Sequence, residues 1–282
     1  METVIGLGQA GCNIADAFSK YGVYDIYKVD TNLLHDSHSY NLPVYDTHEE
    51  YEKKAPNLKM FFSTVDTDIL LVVSGAGKVS GVILKVLEQL VGHVGPSRVN
   101  VLYIKPDIEE LSGEFKLQER LVYNVLQQYA RSGMFNNLIL ASNPELGKII
   151  GEVPIRSYYE KLNETLVSTI HMINVFERSE PEIKTNLRKS ETSRISTLGI
   201  YNSEEEEEKL FFPLDNPLEM HYYYAINEQT LESDGGLMPS IKKKMREINN
   251  SSQRGTYGVY STQYPTNYAY LISFSQKIQK DA

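Results

Sequence analysis

Residues Thr3-Val4-Ile5-Gly6-Leu7-Gly8-Gln9-Ala10-Gly11-Cys12-Asn13-Ile14-Ala15 carry the pattern with the clearest chemistry. A β-branched run stops at Gly6, and glycines recur at Gly8 and Gly11. Ile14, Ala15 and Phe18 then fall at helical spacing. A strand that turns straight into a helix aims free backbone N–H groups and the positive end of a helix dipole at one point, and glycine lets the main chain approach an anion closely. The chemistry is phosphate binding. Gly6-x-Gly8-x-x-Gly11 also meets the dinucleotide fingerprint, which asks for an acidic residue about 20 positions on, at the end of the next strand. Asp30 stands there, after the β-prone residues 24–29. The competing reading is a glycine turn that only packs helix on strand.

A second glycine run strengthens the case. The apolar stretch 68–74 has the composition of a strand buried on both faces. It ends in Gly75-Ala76-Gly77-Lys78-Val79-Ser80-Gly81, and an apolar helix is expected over 82–91. Two such loops meeting at one pocket suit a nucleoside triphosphate.

Elements must hold these loops in place. Strands are expected at 4–5, 26–29, 68–74, 98–104 and 137–141, with helices at 13–21, 82–91 and 115–131. This alternation predicts a parallel sheet covered by helices. Residues 33–60 read as loops with a short strand near Val44, and His35, His38 and His48 as surface histidines rather than metal ligands. A long helix begins at Ser157, with Tyr158, Leu162, Leu166, Ile170 and Ile173 on one stripe. Pro181 marks its latest end. Residues 178–194 read as a polar connector and 204–208 as a solvated acidic face or loop. Strands at 220–227, 256–262 and 268–275 and a helix at 238–248 complete a smaller α+β half. The expected domains are 1–155 (nucleotide-binding α/β), 156–195 (central helix and connecting loop) and 196–282 (α+β).

Composition narrows the function. The chain has 282 residues, 41% hydrophobic, with net charge -9. That balance disfavours coating a nucleic acid. No apolar run reaches the roughly 18–20 residues needed to span a bilayer. A single cysteine, Cys12, excludes an intramolecular disulfide. With no leader segment before the first strand, a soluble cytoplasmic protein is expected.

Several motifs, in order, resemble the tubulin/FtsZ family. Gly8-Gln9-Ala10-Gly11-Cys12-Asn13-Ile14 resembles its first phosphate loop in the tubulin spelling. Val29-Asp30-Thr31-Asn32-Leu33 is similar to the FtsZ loop written Asn-Thr-Asp. Gly75 to Gly81 falls where the family has Gly-Gly-Gly-Thr-Gly-Ser-Gly. Ile104-Lys105-Pro106-Asp107 resembles the family's Lys-Pro-Phe. Tyr159-x-x-x-Asn163 matches the start of the family's central helix, where a ring stacks on guanine and an amide reads its edge. The competing reading for this pair is a core aromatic and a helix-surface amide.

The resemblance implies a compact, divergent GTP/GDP-binding protein, of a kind a bacteriophage or plasmid could carry. It implies Mg2+ beside the phosphates, ribose contact from Glu114 or Glu110, and head-to-tail self-assembly into a filament. In the family a loop of the form Gly-x-x-Asn-x-Asp-x-x-Asp/Glu enters the next subunit's pocket for hydrolysis. Residues 183–191 match it by spacing, which implies catalytic roles for Asn186, Arg188 and Glu191; the competing reading is that 183–191 is only a basic connector. The chain departs from the pattern at Lys78 (threonine), Val79 (glycine), Ile183 (glycine) and Arg188 (an acid). The glycine-rich third loop should lie near 52–60, where the chain has Lys53 and Lys54 and no glycine. Weak or assembly-dependent GTP hydrolysis is expected. The alternatives are a degenerate scaffold or modulator of another tubulin-like filament, without turnover, and a dinucleotide-dependent oxidoreductase built on Gly6 to Gly11 and Asp30.

Overall fold

The computed structural model describes residues 2–185, 192–202, 205–251 and 253–280. The chain divides into two compact units, Met1–Val167 and Ser168–Lys280.

The first unit runs β1 (Glu2–Leu7), α1 (Gly8–Phe18), β2 (Tyr24–Asp30), β3 (Ser39–Asn41), α2 (His48–Lys53), β4 (Asp68–Val73), α3 (Ile83–Val94), β5 (Val99–Lys105), α4 (Gly113–Ser132), β6 (Asn137–Ser142) and α5 (Asn143–Ile150). Its six described strands lie in the order β3-β2-β1-β4-β5-β6, all parallel. β1 is buried along its whole length, and β4 from its second residue on. This is why both read as continuous apolar runs: a strand covered by helices on both faces has no polar side.

The strand order fixes where a ligand can enter. From β1 the chain crosses to β2 on one side, yet β4 pairs β1 on the other. At such a reversal the loops leaving the carboxyl ends of the two central strands diverge and leave a crevice.

The long helix α6 (Tyr158–Glu177) starts in the first unit and ends in the second. The second unit continues with β7 (Ile183–Lys184), β8 (Ile195–Asn202), β9 (Glu207–Leu210), β10 (Glu219–Asn227), α7 (Glu228–Ser233), α8 (Leu237–Asn250), β11 (Arg254–Thr262) and β12 (Tyr268–Ser275). Its strands lie in the order β8-β12-β10-β11-β7, with β9 on β8. Only β10–β11 is parallel. The core sets Tyr201, Tyr222, Tyr224 and Tyr257 against Ile241, Met245 and Ile248 of α8, so several of the chain's 20 tyrosines serve as packing. A parallel α/β half, a long helix and a smaller α+β half are thus the architecture.

Four local readings are corrected. The short strand lies at Ser39–Asn41, not near Val44. Residues 48–53 form a helix within the supposed loop. Thr47 caps it by accepting the Glu50 N–H at 3.2 Å, and Glu50 reaches back one residue further to accept the Asp46 N–H at 3.1 Å, a variant of the cap that Thr47-x-x-Glu50 spells out. His48 is buried on that helix at 8% exposure rather than on the surface. Of the acidic run, Glu205 and Glu206 form the exposed turn expected of a loop, but Glu207 and Glu208 enter β9. Lys244 pairs with Glu208 at 2.7 Å and Lys243 with Glu206 at 3.1 Å, so basic residues of α8 offset its charge. The sequence reading also left α5, α7 and β8 unassigned.

Candidate functional site

The loops after β1, β2 and β4 line one cavity of about 590 Å3. Its walls are Leu7, Gly8, Gln9 and Ala10 from the first loop and Asp30, Thr31 and Asn32 from the second. Ser74, Ala76, Gly77, Lys78, Val79 and Ser80 come from the third. Residues some 70 positions apart therefore meet at the crevice set by the strand order.

Each loop has a distinct build. Helix α1 begins without a side-chain cap, and its first turn carries no acidic residue. Its leading N–H groups are thus left for an anion, which is what a phosphate requires. Gly8 adopts φ +70°, a left-handed conformation that a residue with a Cβ enters at a cost. A Cβ at Gly8 would lie 3.9 Å from Val79 Cγ1, so there is ordinary room for one and the constraint on this position is its backbone conformation. The second loop closes as a 3-10 turn over Lys78–Val82, with Ser80 donating its hydroxyl to Gly75 O at 2.9 Å and its N–H to Gly77 O at 2.9 Å. Val79 keeps a negative φ in this turn, so its side chain causes no backbone strain.

The glycines divide by role. Gly8 and Gly77 face the cavity, and a Cβ on Gly77 would meet nothing within 4 Å. Gly6, Gly11, Gly75 and Gly81 are packing glycines instead. A Cβ on Gly6 would stand 2.5 Å from Gly11 O, and one on Gly11 would strike Val72 O. One on Gly81 would strike His48 O. For these four, close helix-on-strand or helix-on-turn packing is the explanation.

Cys12 is also structural. It is buried, its thiol donates to Gly6 O at 3.4 Å, and burial pushes its pKa up to about 12, with the Asp30 carboxylate adding to the rise. A thiol so held is a poor nucleophile at neutral pH.

Beneath the second loop lies a buried charged cluster that sequence reasoning missed. Lys105 pairs with Glu119 at 3.2 Å, their side chains 4% and 1% exposed. The ammonium also sits 4.0 Å from the centre of the Tyr123 ring. Glu119 accepts the Tyr103 hydroxyl at 3.0 Å, and burial, then the Glu119 charge, holds the Tyr103 phenol well above its ordinary pKa. Buried charges persist only when paired in this way. The one signal was Lys105 at the end of an apolar strand.

A second cavity, of about 410 Å3, runs along the same helix α1. Asn13, Asp16, Ala17 and Lys20 line it together with Tyr159, Glu160, Asn163 and Glu164 of α6. Asn13 follows Gln9 and Ala10 by one helical turn, so the exposed row of α1 passes from one cavity to the other. Tyr159 is 62% exposed, which removes the core-aromatic reading. Asp16 is held by Lys28 at 2.9 Å, and that bond raises the lysine's pKa.

Glu114 lies on the first turn of α4 and Glu110 in the short turn before it; neither lines either cavity. Lys53 and Lys54 belong to α2 and its end, outside both cavities. Lys54 pairs with Glu50 at 2.9 Å. Asn186, Arg188 and Glu191 lie outside the described residues. Leu7, Thr31 and Ser74 were missed as lining residues, although each is a sequence neighbour of one predicted.

No protein-family profile matches the chain, and no curated protein matches it in sequence. Solved structures do match. A GTPγS-form protofilament of TubZ from Bacillus thuringiensis serovar israelensis superposes with a TM-score of 0.72 at 16% identity, over 98% of this chain and 86% of that one. An empty FtsZ dimer from M. jannaschii gives 0.70 at 13% identity, over 97% and 88%. A GTPγS-bound protofilament of CetZ2 from Haloferax volcanii gives 0.69 at 15%, over 97% and 92%. The chain has the FtsZ fold. At these identities the likeness is one of fold, and the FtsZ fold accounts for the strand order, the long helix and the smaller α+β half. No helix among the described residues is long and apolar enough to cross a membrane.

Proposed function

We propose that this chain binds a guanine nucleotide and assembles head to tail with copies of itself. The observation that carries this reading is the convergence of two glycine loops and Asp30-Thr31-Asn32 on one cavity, beside a second cavity on the same helix. In this reading the N–H groups of α1 and of the second loop hold the phosphates. The base lies in the adjoining cavity, with Tyr159 as stacking platform and Asn163 reading the edge. Cys12, Gly11, Gly75 and Gly81 support the loops rather than touch the ligand. Glu114 remains a proposed sugar contact from the resemblance alone.

The solved TubZ and CetZ2 structures are protofilaments in GTPγS or GDP forms. Carried to this chain, that supports a filament with nucleotide at each junction. A repeated head-to-tail contact does not close, which is the geometry of a polymer. We assign Asn186, Arg188 and Glu191 to the junction loop by their spacing. A cation in place of an acid there predicts slow hydrolysis, since water activation beside phosphate depends on the local charge.

Light scattering paired with phosphate release, on the purified chain with GTP, GDP and ATP, tests the reading. Assembly with GTP alone above a critical concentration is expected, with little phosphate released. No assembly and no GTP binding would replace it with a tubulin-fold scaffold acting on another filament. Selective NAD binding would favour the oxidoreductase.

A further inference from the structure

The cavity between the glycine loops has a distinctive charge balance. Asp30 is its one carboxylate and Lys78 its one cation among the described residues. Asp30 Oδ1 already accepts the Thr31 N–H at 2.8 Å. Lys78 opens the 3-10 turn, is exposed where it lines the cavity, and has no ion-pair partner among the described residues. Nearby basic residues do not share its position: Lys54 is held by Glu50 and lies over the Tyr45 ring at 4.5 Å.

A divalent cation beside a polyphosphate asks for oxygen ligands in near-octahedral geometry, commonly one or two carboxylates with phosphate oxygens and water. This cavity offers one carboxylate with an oxygen engaged, and an exposed ammonium lines the same cavity. No group of three or more His, Cys, Asp or Glu able to hold a metal ion occurs among the described residues. The protein's own donors to a cation are therefore few: a single half-engaged carboxylate, in a cavity that an ammonium also lines. An ammonium repels a metal ion entering the same cavity, and it meets phosphate well as a compact point charge.

We propose that Lys78 does the work of a divalent cation here, neutralising the bound polyphosphate so that nucleotide binding is independent of Mg2+. This rests on the reading that the cavity holds nucleotide phosphates. The lysine acts as a phosphate ligand. Its turn is tied to Gly75 through the Ser80 hydroxyl at 2.9 Å, and Gly75 packs on the Tyr103–Glu119 pair.

The test is a titration of the full-length chain with a fluorescent GDP, and separately with inorganic triphosphate, in Mg2+ and in excess chelator. The wild-type affinity is expected to change less than about twofold between the two buffers. In Lys78→Thr, chelation should cost about tenfold or more, the loss of one charge-assisted contact. Circular dichroism confirms that the variant folds, as expected for an exposed side chain. A wild-type affinity that falls tenfold on chelation would overturn the proposal while leaving the nucleotide reading intact. So would a Lys78→Thr protein as indifferent to Mg2+ as the wild type. Wild-type protein that binds neither probe in either buffer would overturn the nucleotide reading itself, and this inference with it.

Discussion

Tyr103 and Glu119 meet directly beneath Gly75: the phenol donates to the carboxylate at 3.0 Å and lies 2.5 Å from where a Cβ on Gly75 would sit. The second loop therefore rests on a hydrogen-bonded buried pair, and what lies under its first glycine leaves no room for a side chain there.

Gly75→Ala should thus destabilise the fold. The added methyl meets the Tyr103 hydroxyl and, at 3.1 and 3.2 Å, the Glu119 backbone. Overpacking of this kind costs about 1–3 kcal/mol. Gly77→Ala, whose Cβ meets nothing within 4 Å, should stay within about 0.5 kcal/mol of wild type. Urea denaturation of both variants checks the contrast, and equal midpoints would refute the division into packing and cavity-facing glycines.

At Gly8 the penalty should be conformational. A Cβ there has ordinary room, 3.9 Å from Val79, but φ is +70°. Gly8→Ala should lose about 1–2 kcal/mol, and Gly8→Asn less, because asparagine tolerates the left-handed region. If asparagine were the worse of the two, crowding and not backbone conformation would be the cause.

Tyr159 and Asn163 offer a separation of binding from stability. Tyr159 is exposed and Asn163 lines an open groove, so alanine at either should leave the denaturation midpoint nearly unchanged. Loss of a stacking ring costs about 1–3 kcal/mol of base binding, so GTP affinity of Tyr159→Ala should drop about tenfold, and Tyr159→Phe should retain it. Calorimetric titration reads both. Unaltered affinity in the two alanine variants would remove the base from this groove.

Stability should fall steeply in alkali. Burial, reinforced by nearby carboxylates, raises the phenol pKa of Tyr103 (Glu119), Tyr222 (Glu208) and Tyr223 (Glu177); Tyr224 is raised by burial and then by Tyr201. Below a pH of about 10 folded and unfolded chains both keep these protons. Above it the unfolded chain releases protons that the fold retains, and stability drops by about 1.4 kcal/mol per pH unit for each phenol so held. Urea midpoints between pH 8 and 11, with tyrosinate absorbance recorded alongside, test the sign and the slope. A flat profile through this range would contradict it.

Features that depend on near neighbours were legible in the order of residues alone. Continuous apolar runs gave β4 and β5 within a residue or two, because a strand with two covered faces has to be apolar throughout. The glycine turn at the start of α1, the stripe of α6 and the strands β10 and β12 were likewise local signals. Features that depend on strand order and on contact across distance emerged only when the chain packed. Packing brought residues 7–10, 30–32 and 74–80 to one crevice and separated the two cavity glycines from the four packing ones. It also buried the Lys105–Glu119 pair and drew residues 207–210 into a strand alongside the lysines of α8. Glycine spacing looks the same whether the missing Cβ makes room for a phosphate or for a neighbouring carbonyl. Only the packed chain, by putting open space or Val72 O at that point, distinguishes them.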